Sequence, residues 1–173
     1  MRKLRKLLEG VGGFEITTDN SYWKMNYTRE ESVCDWAQAV MLLNEVQKET
    51  AEPANILPKI VHIASQGLLL PNSRYEWLDP FKAAYSDTVV TALGKLREDT
   101  IFSADFKIQL QLSDCILLFD SLDEESMRIK CLSLVALGRI GSAKNCFDAF
   151  LCEYRQVMGE EYPDSFEKFI QPA

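Results

Sequence analysis

The sequence predicts a mainly α-helical protein whose helices pack as antiparallel pairs, preceded by a small N-terminal helix and a β-hairpin. Three observations support this prediction. From residue 30 onward, apolar residues recur at steps of three and four, which places them on one side of a helix. Glycine and proline residues interrupt these stretches where helices should end. Only residues 13–27 combine β-branched and aromatic residues around a turn, as paired strands do.

The length and composition limit the class of protein. Of the 173 residues, 47% are hydrophobic, enough for one domain with a substantial core. No apolar run approaches the roughly 18 residues of a membrane-spanning helix. The basic first residues are not followed by the apolar segment of a secretory signal. We therefore expect a soluble, cytoplasmic protein without a membrane partner.

Two domains are predicted, residues 1–28 and 29–173. In the first, a helix over residues 2–9 ends at glycines, and a hairpin over residues 13–27 turns at Asp19-Asn20-Ser21. This unit has too little apolar area to stand alone.

The second domain is predicted to begin with two helices. The first, from about residue 30, has an apolar stripe formed by Val33, Trp36, Ala37, Val40, Leu43 and Val46. After the polar segment 48–55, the second helix begins near Asn55 and ends at Gly67. Pro58 is tolerated in its first turn, where N–H groups have no intrahelical partner.

Three more helices are expected between residues 79 and 138. In the first of these, Asp79 is the predicted N-cap and Pro80 the first helical residue, and the helix runs to about Arg97. Helices near residues 103–119 and 123–138 follow, and acidic residues favour the start of the latter.

The longest apolar stripe lies within residues 138–158. It extends over more than four turns through Ala143, Cys146, Phe147, Phe150, Leu151, Tyr154, Val157 and Met158. Such a face has to be buried against neighbouring helices. Asp164, with Glu167 three positions later, predicts the N-cap of a short last helix.

Paired helices of this length are typical of tetratricopeptide repeats, whose period is about 34 residues. The pair 123–158 fits best, with small Cys131 at the helix crossing, a turn at Gly138, and Ala143 on the second helix. The pair 80–119 keeps the helix lengths but few signature residues. The predicted architecture is therefore a tetratricopeptide-like α-solenoid. Its predicted structural core residues are Trp36, Trp77, Ala143, Phe147, Phe150 and Tyr154.

Positive charge is concentrated at the N terminus. The first ten residues carry +3, so the other 163 carry −10 and repel phosphate backbones. The candidates for DNA-phosphate contacts are Arg2, Lys3, Arg5, Lys6 and Lys24. A solvated helix face is the alternative for the first four. The hairpin aromatics could stack on bases, but packing is the more common role of such residues.

No pattern predicts catalysis, a metal site or a cofactor. His62 is the only histidine, and one histidine cannot form the usual metal clusters. The five cysteines contain no CxxC pair and are predicted to be small core side chains. We therefore expect a protein that is not an enzyme.

The stretch "LDEESMRIKCLSLVALGRIGSAKNCFDAFLCEYRQVMGEEYPDSF" resembles the C-terminal half of the bacterial transcriptional activator domain, the repeat-type helical domain of the antibiotic regulatory protein family. Leu137-Gly138-Arg139, Tyr154-Arg155 and Met158-Gly159-Glu160 match its pattern in order. Tyr162-Pro163-Asp164 replaces the usual Glu-Pro-Ser. "GLLLPNSRYEWLDPFKAAYSDTVVTAL" is similar to the earlier part of that domain, where a glycine- and leucine-rich loop leads into a Trp-containing helix, so the resemblance covers residues 31–170.

In that family, the helical domain follows a winged-helix DNA-binding domain of the response-regulator type. "RKLRKLLEG" resembles the end of its recognition helix, and "FEITTDNSYWKMNY" resembles its wing hairpin. Most of the winged-helix core is absent. The resemblance therefore implies an excerpt of a longer regulator or a truncated relative, with DNA contacts made only through the N-terminal part of a longer chain.

Two functional hypotheses follow. In the first, the chain is the C-terminal regulatory and protein-interaction region of a bacterial transcription regulator, and its helical repeats transmit a signal or hold protomers together. In the second, it is a free-standing tetratricopeptide-like adaptor that binds a partner protein and no DNA. In both, the partner is another protein or a second copy in a homodimer. Exposed tryptophans such as Trp23, Trp36 or Trp77 could mark a dimer contact, although repeats also need aromatic residues between their helices.

Overall fold

The computed structural model describes residues 6, 14–20, 22–27, 35–46, 53–98 and 104–171. Within these ranges the chain forms seven α-helices and one two-stranded antiparallel sheet, which confirms the mainly α fold class. The chain divides into two compact units, residues 1–38 and 39–173. The predicted domain boundary after residue 28 lies outside the described residues, and so do Arg2, Lys3 and Arg5.

Strands β1 (Phe14–Asp19) and β2 (Tyr22–Tyr27) form the predicted hairpin. They pair along their full length, the first residue of β1 opposite the last residue of β2. The turn residue Asn20 has a positive φ of 44°. Asparagine adopts this left-handed backbone more readily than most side chains do, which explains its place in the turn.

Helices α1 (Asp35–Val46) and α2 (Pro53–Ala64) follow. Helix α2 begins two residues before the predicted start, so Pro58 lies inside the helix and not in its first turn. Proline has no N–H, and the carbonyl of Ala54 therefore loses its usual helical partner. Ala54 is exposed, so water can replace that partner. The buried side chains of α2 are Ile56, Leu57, Ile60 and Ala64.

Helix α3 (Asp79–Glu98) continues directly from a 3-10 turn over Glu76–Leu78. Asp79 has φ −60° and ψ −41° and is therefore already helical, so its prediction as an N-cap was wrong. The 3-10 turn before Asp79 already has a helical backbone, so the helix needs no N-cap at this residue. Pro80 then occupies the second position of α3. The Glu76 carbonyl, the i−4 acceptor that a residue-80 N–H would reach, already accepts the Asp79 N–H, so the proline leaves that carbonyl paired.

Helices α4 (Phe106–Leu117) and α5 (Glu124–Ala136) lie close to their predicted positions. Each is capped by an aspartate. The Asp105 carboxylate accepts two backbone N–H bonds of α4 at 2.9 and 3.2 Å. The Asp123 carboxylate accepts the N–H of Ser126 at 2.6 Å. Caps of this kind satisfy N–H groups that have no partner within the helix.

The predicted glycine turn joins α5 to α6 (Ile140–Met158). Gly138 has φ +75°, a backbone conformation that favours glycine. Its N–H donates to the carbonyl of Val135 at 2.9 Å, and the Arg139 N–H donates to the carbonyl of Leu134 at 2.7 Å. This arrangement closes the C terminus of α5 and reverses the chain.

Helices α5 and α6 and the short α7 (Phe166–Phe169) enclose a common core. Its buried members are Met127, Cys131, Leu134, Ala143, Phe147, Phe150 and Phe169, and the partly buried Tyr154 packs against them. The Cys131 thiol lies 3.6 Å from the carbonyl oxygen of Ala143. These two small residues therefore allow the close approach of α5 and α6 that the sequence predicts.

Two expectations for the C-terminal region were wrong. Val157 and Met158 are 64% and 56% exposed, so the last turn of α6 continues the apolar pattern without a neighbour to bury it. The N-cap of α7 is Ser165, whose hydroxyl accepts the N–H of Lys168. The carboxylate of Asp164, the predicted cap, pairs instead with the Lys168 ammonium group.

Successive helices of the second unit pack on one another. Helix α2 contacts α3 and α4, and the pairs α3–α4, α4–α5 and α5–α6 are also in contact. Stacking of these helices as a tetratricopeptide-like solenoid stays a prediction. None of the helices in the described ranges is both long and apolar enough to cross a membrane.

A buried arginine connects three of these helices. The Arg97 side chain, at the end of α3, is 8% exposed and donates to Ser126 Oγ at 2.6 Å. Its guanidinium group lies 3.1 Å from the Glu125 carboxylate and 3.9 Å from that of Asp123. Its backbone carbonyl accepts the Gln109 side-chain amide of α4 at 3.0 Å.

Candidate functional site

Three aromatic rings form an exposed surface where the α2–α3 connection enters α3. Tyr75, Trp77 and Phe81 are 65%, 67% and 52% exposed. The Tyr75 and Trp77 rings stack with centroids 6.4 Å apart, and the Trp77 and Phe81 rings meet edge to face at 6.5 Å. We call these three residues the aromatic strip. Tryptophan and tyrosine on a surface are typical of residues that dominate protein–protein binding energy.

The backbone beneath the strip is held by defined contacts. The Ser73 N–H donates to the carbonyl of Leu70 at 3.0 Å, which closes a turn, and the Ser73 carbonyl accepts the Lys82 ammonium group of α3. Leu78 follows the two outward rings and is 8% exposed, so it anchors the 3-10 turn in the core. The rings are therefore presented on an ordered segment.

The strip lies in a segment with no net charge. Residues 68–82 contain only four charged side chains, namely Arg74, Glu76, Asp79 and Lys82. By contrast, the whole net charge of −7 belongs to residues 39–173, because residues 1–38 contain six basic and six acidic side chains. The strip is thus a neutral, aromatic part of an acidic unit.

The structure separates the predicted repeat-core residues into different groups. Ala143, Phe147 and Phe150 are 0–3% exposed and lie together with Tyr154 in the C-terminal core. Trp77 is on the surface, so its prediction as a core residue was wrong. The 3-10 turn directs Leu78 inward in its place. Trp36 lies in α1, but its side chain falls outside the described part of the structure.

The other predicted side chains do not converge on one site. Of the DNA-phosphate candidates that the structure describes, Lys6 and Lys24 are exposed, and Lys24 lies on β2. His62 is also exposed. Burial raises the pKa of the Cys131 thiol to about 12, which suppresses the reactive thiolate. Among the described residues, no group of three or more metal-ligating side chains is placed to hold an ion.

A polar cleft of about 350 Å³ lies between the start of α5 and the segment around α7. Tyr162 lines it and donates a hydrogen bond to the Glu124 carboxylate at 3.1 Å. Burial, followed by this hydrogen bond, raises the pKa of Tyr162 to about 12. Arg128, Asp164 and Lys168 also line the cleft, so its walls carry both signs of charge.

We expect Tyr162→Phe to lower the free energy of unfolding by about 1 kcal/mol at pH 8, through loss of the hydrogen bond. This difference should shrink as the pH rises from 10 towards 12. Tyrosine ionises near pH 10 in the unfolded chain, while the folded Tyr162 phenol stays protonated, so the protein with Tyr162 loses more stability in that window than the variant does. Urea unfolding of both proteins at several pH values between 8 and 11 measures the effect. A difference independent of pH would contradict it.

Sequence reasoning missed Tyr75 and Phe81 as surface residues. The signal was present in "GLLLPNSRYEWLDPF", where apolar residues follow one another without a helical period. Apolar residues outside a periodic stripe cannot all face one core. They are therefore better candidates for an exposed patch than the members of a regular stripe are.

No protein-family model, no curated protein and no solved structure matches the chain.

Proposed function

We propose that residues 39–173 are the regulatory, protein-binding region of a bacterial transcription regulator, and that the aromatic strip is their binding surface. The observation that supports protein binding is the exposure of three neighbouring rings, 52–67% each, on an ordered segment. Exposed apolar patches on folded proteins commonly mark interaction sites. The assignment to transcription regulators comes from the resemblance of residues 31–170 to the activator domain.

The tetratricopeptide-like stacking of the helix pairs belongs to this proposal. The α5–α6 pair supports it most directly, because a left-handed Gly138 turn and the close contact of Cys131 with Ala143 are what such a repeat needs. In the proposed arrangement each pair buries its apolar face on the next, and the connections between pairs are free to bind partners.

The charge distribution supports a division of labour within a longer regulator. An acidic helical unit with a net charge of −7 is repelled by DNA phosphates. DNA binding would therefore belong to the N-terminal basic residues and hairpin, completed by the rest of a winged-helix domain. The helical unit would contact proteins, either the transcription machinery or another regulator subunit.

A fusion experiment distinguishes a regulator from an adaptor without a role in transcription. The full chain is joined to an unrelated DNA-binding domain whose operator lies upstream of a bacterial reporter gene. We expect the fusion to change transcription several-fold relative to the DNA-binding domain alone. Trp77→Ser should remove that change, because tryptophan contacts at interface centres are among the strongest.

Phe106→Ser is the matched control, because this ring is 47% exposed and lies at the start of α4, outside the strip. It should leave the reporter response intact at equal protein abundance. An unaltered reporter with the wild-type fusion would reject the regulatory role and favour the adaptor. Equal effects of Trp77→Ser and Phe106→Ser would show that the strip is not the binding surface.

A further inference from the structure

We infer that the aromatic strip binds the same strip of a second copy of this chain, so that the protein forms a two-fold symmetric dimer. This assignment rests on the protein-binding role proposed above and names the partner. The partner is a second copy because the strip and the charges beside it can pair with the same residues of another copy.

The first argument is charge. Two copies of a unit with a net charge of −7 repel each other over most of their surfaces. Residues 68–82 differ, because their two basic and two acidic side chains sum to zero. Contact at this segment therefore avoids the like-charge repulsion that the acidic surface imposes elsewhere.

The second argument is the order of the charges. Arg74 and Glu76 are exposed and are the two sequence neighbours of Tyr75. In a two-fold contact the same patch faces itself in the opposite direction. An axis near Tyr75 sets Arg74 of one copy against Glu76 of the other, and the reciprocal pair forms on the other side of the axis. One contact thus gains two favourable ion pairs.

The third argument is the apolar area. With exposures of 52–67% and about 200 Å² per aromatic side chain, the strip offers about 350 Å² of apolar surface. A stable interface buries about 800 Å² per partner, so the strip supplies its aromatic centre and polar residues supply the rim. Leu68 and Leu70, 47% and 53% exposed, belong to the same connection. We expect a reversible dimer with a dissociation constant on the order of 1–100 μM, set by the quality of the aromatic contacts and not by the area.

Sedimentation equilibrium of the full chain across this concentration range tests the inference. We expect the mass to rise from one chain to two with increasing concentration. Trp77→Ser should raise the dissociation constant at least about 30-fold. Phe106→Ser, which removes a comparably exposed ring outside the strip, should leave it unchanged. Both variants change surface side chains, and circular dichroism checks that they remain folded.

Charge exchange tests the two-fold geometry. Arg74→Glu and Glu76→Arg should each weaken self-association, because each homodimer then places like charges opposite each other. An equimolar mixture of the two variants should form heterodimers, because glutamates at 74 and 76 on one copy then face arginines on the other. The double variant Arg74→Glu/Glu76→Arg should dimerise like the wild type.

A chain that stays monomeric at all these concentrations would overturn the inference, and so would a dimer insensitive to Trp77→Ser. Heterodimers no tighter than the homodimers would also overturn it. These outcomes are separable from failure of the proposed function. A monomeric chain whose reporter effect still depends on Trp77 rejects only the dimer, whereas a Trp77-dependent dimer without any reporter effect rejects only the role in transcription.

Discussion

Replacing Phe150 with alanine is expected to lower the free energy of unfolding by about 3–5 kcal/mol. Phe150 is 1% exposed and lies at the centre of the C-terminal aromatic core. Its ring centroid is 5.3 Å from that of Tyr162 and 5.8 Å from that of Phe169. Truncation removes these contacts and leaves a cavity that helices held on several sides cannot fill by relaxing.

Urea denaturation followed by far-ultraviolet circular dichroism measures this loss. Phe106→Ala is the appropriate control, because it removes the same atoms from a ring that is 47% exposed. We expect Phe106→Ala to lower the free energy of unfolding by less than about 1 kcal/mol. If the two variants were equally stable, the C-terminal core would contribute far less to stability than its burial indicates.

The second large effect is expected from the partners of Arg97. Neutralising both acids, as Asp123→Asn/Glu125→Gln, should lower the free energy of unfolding by about 2–3 kcal/mol. The Arg97 side chain is 8% exposed and would keep its charge without a compensating carboxylate. Asparagine at position 123 still caps α5, so the loss of stability comes from the missing negative charges and not from a missing N-cap.

Arg97→Met is the comparison variant, and we expect it to lower the free energy of unfolding by about 1 kcal/mol. It removes the buried charge and keeps most of the apolar stem. The two carboxylates it leaves are 30% and 57% exposed, so water can solvate them, and the expected loss comes mainly from the buried Ser126 hydroxyl, which loses its donor. Chemical denaturation of the three proteins in the same buffer compares them. A larger loss for Arg97→Met than for the double variant would contradict this account.

The sequence predicted best those elements that local chemistry specifies. The hairpin follows from a turn that tolerates a left-handed Asn20, and the α5–α6 pair follows from Gly138 and the small residues Cys131 and Ala143. The hairpin depends on residues that are close together in the sequence. The α5–α6 pair depends on side chains small enough for the two helices to cross closely. The elements therefore appear where periodicity and turn residues place them.

Residues whose surroundings depend on the tertiary structure could not be predicted in the same way. An apolar stripe shows which face of a helix should be buried but not where its neighbour ends, and Val157 and Met158 consequently proved exposed. The sequence places Arg97 near the end of its helix but does not show its burial, which depends on the acids of α5. Trp77 was predicted in the core because repeats need aromatic residues between their helices, whereas its exposure depends on the 3-10 turn that directs Leu78 inward.

The position of Trp77 also determines what optical spectroscopy will detect. It is the single tryptophan of residues 39–173 and is already 67% exposed in the folded unit. Its indole emission should therefore change little when that unit unfolds. Removal of water from the indole by a bound molecule should shift the emission to shorter wavelength. Tryptophan fluorescence of this unit therefore detects complex formation. Unfolding of the unit has to be followed by far-ultraviolet circular dichroism of the peptide backbone.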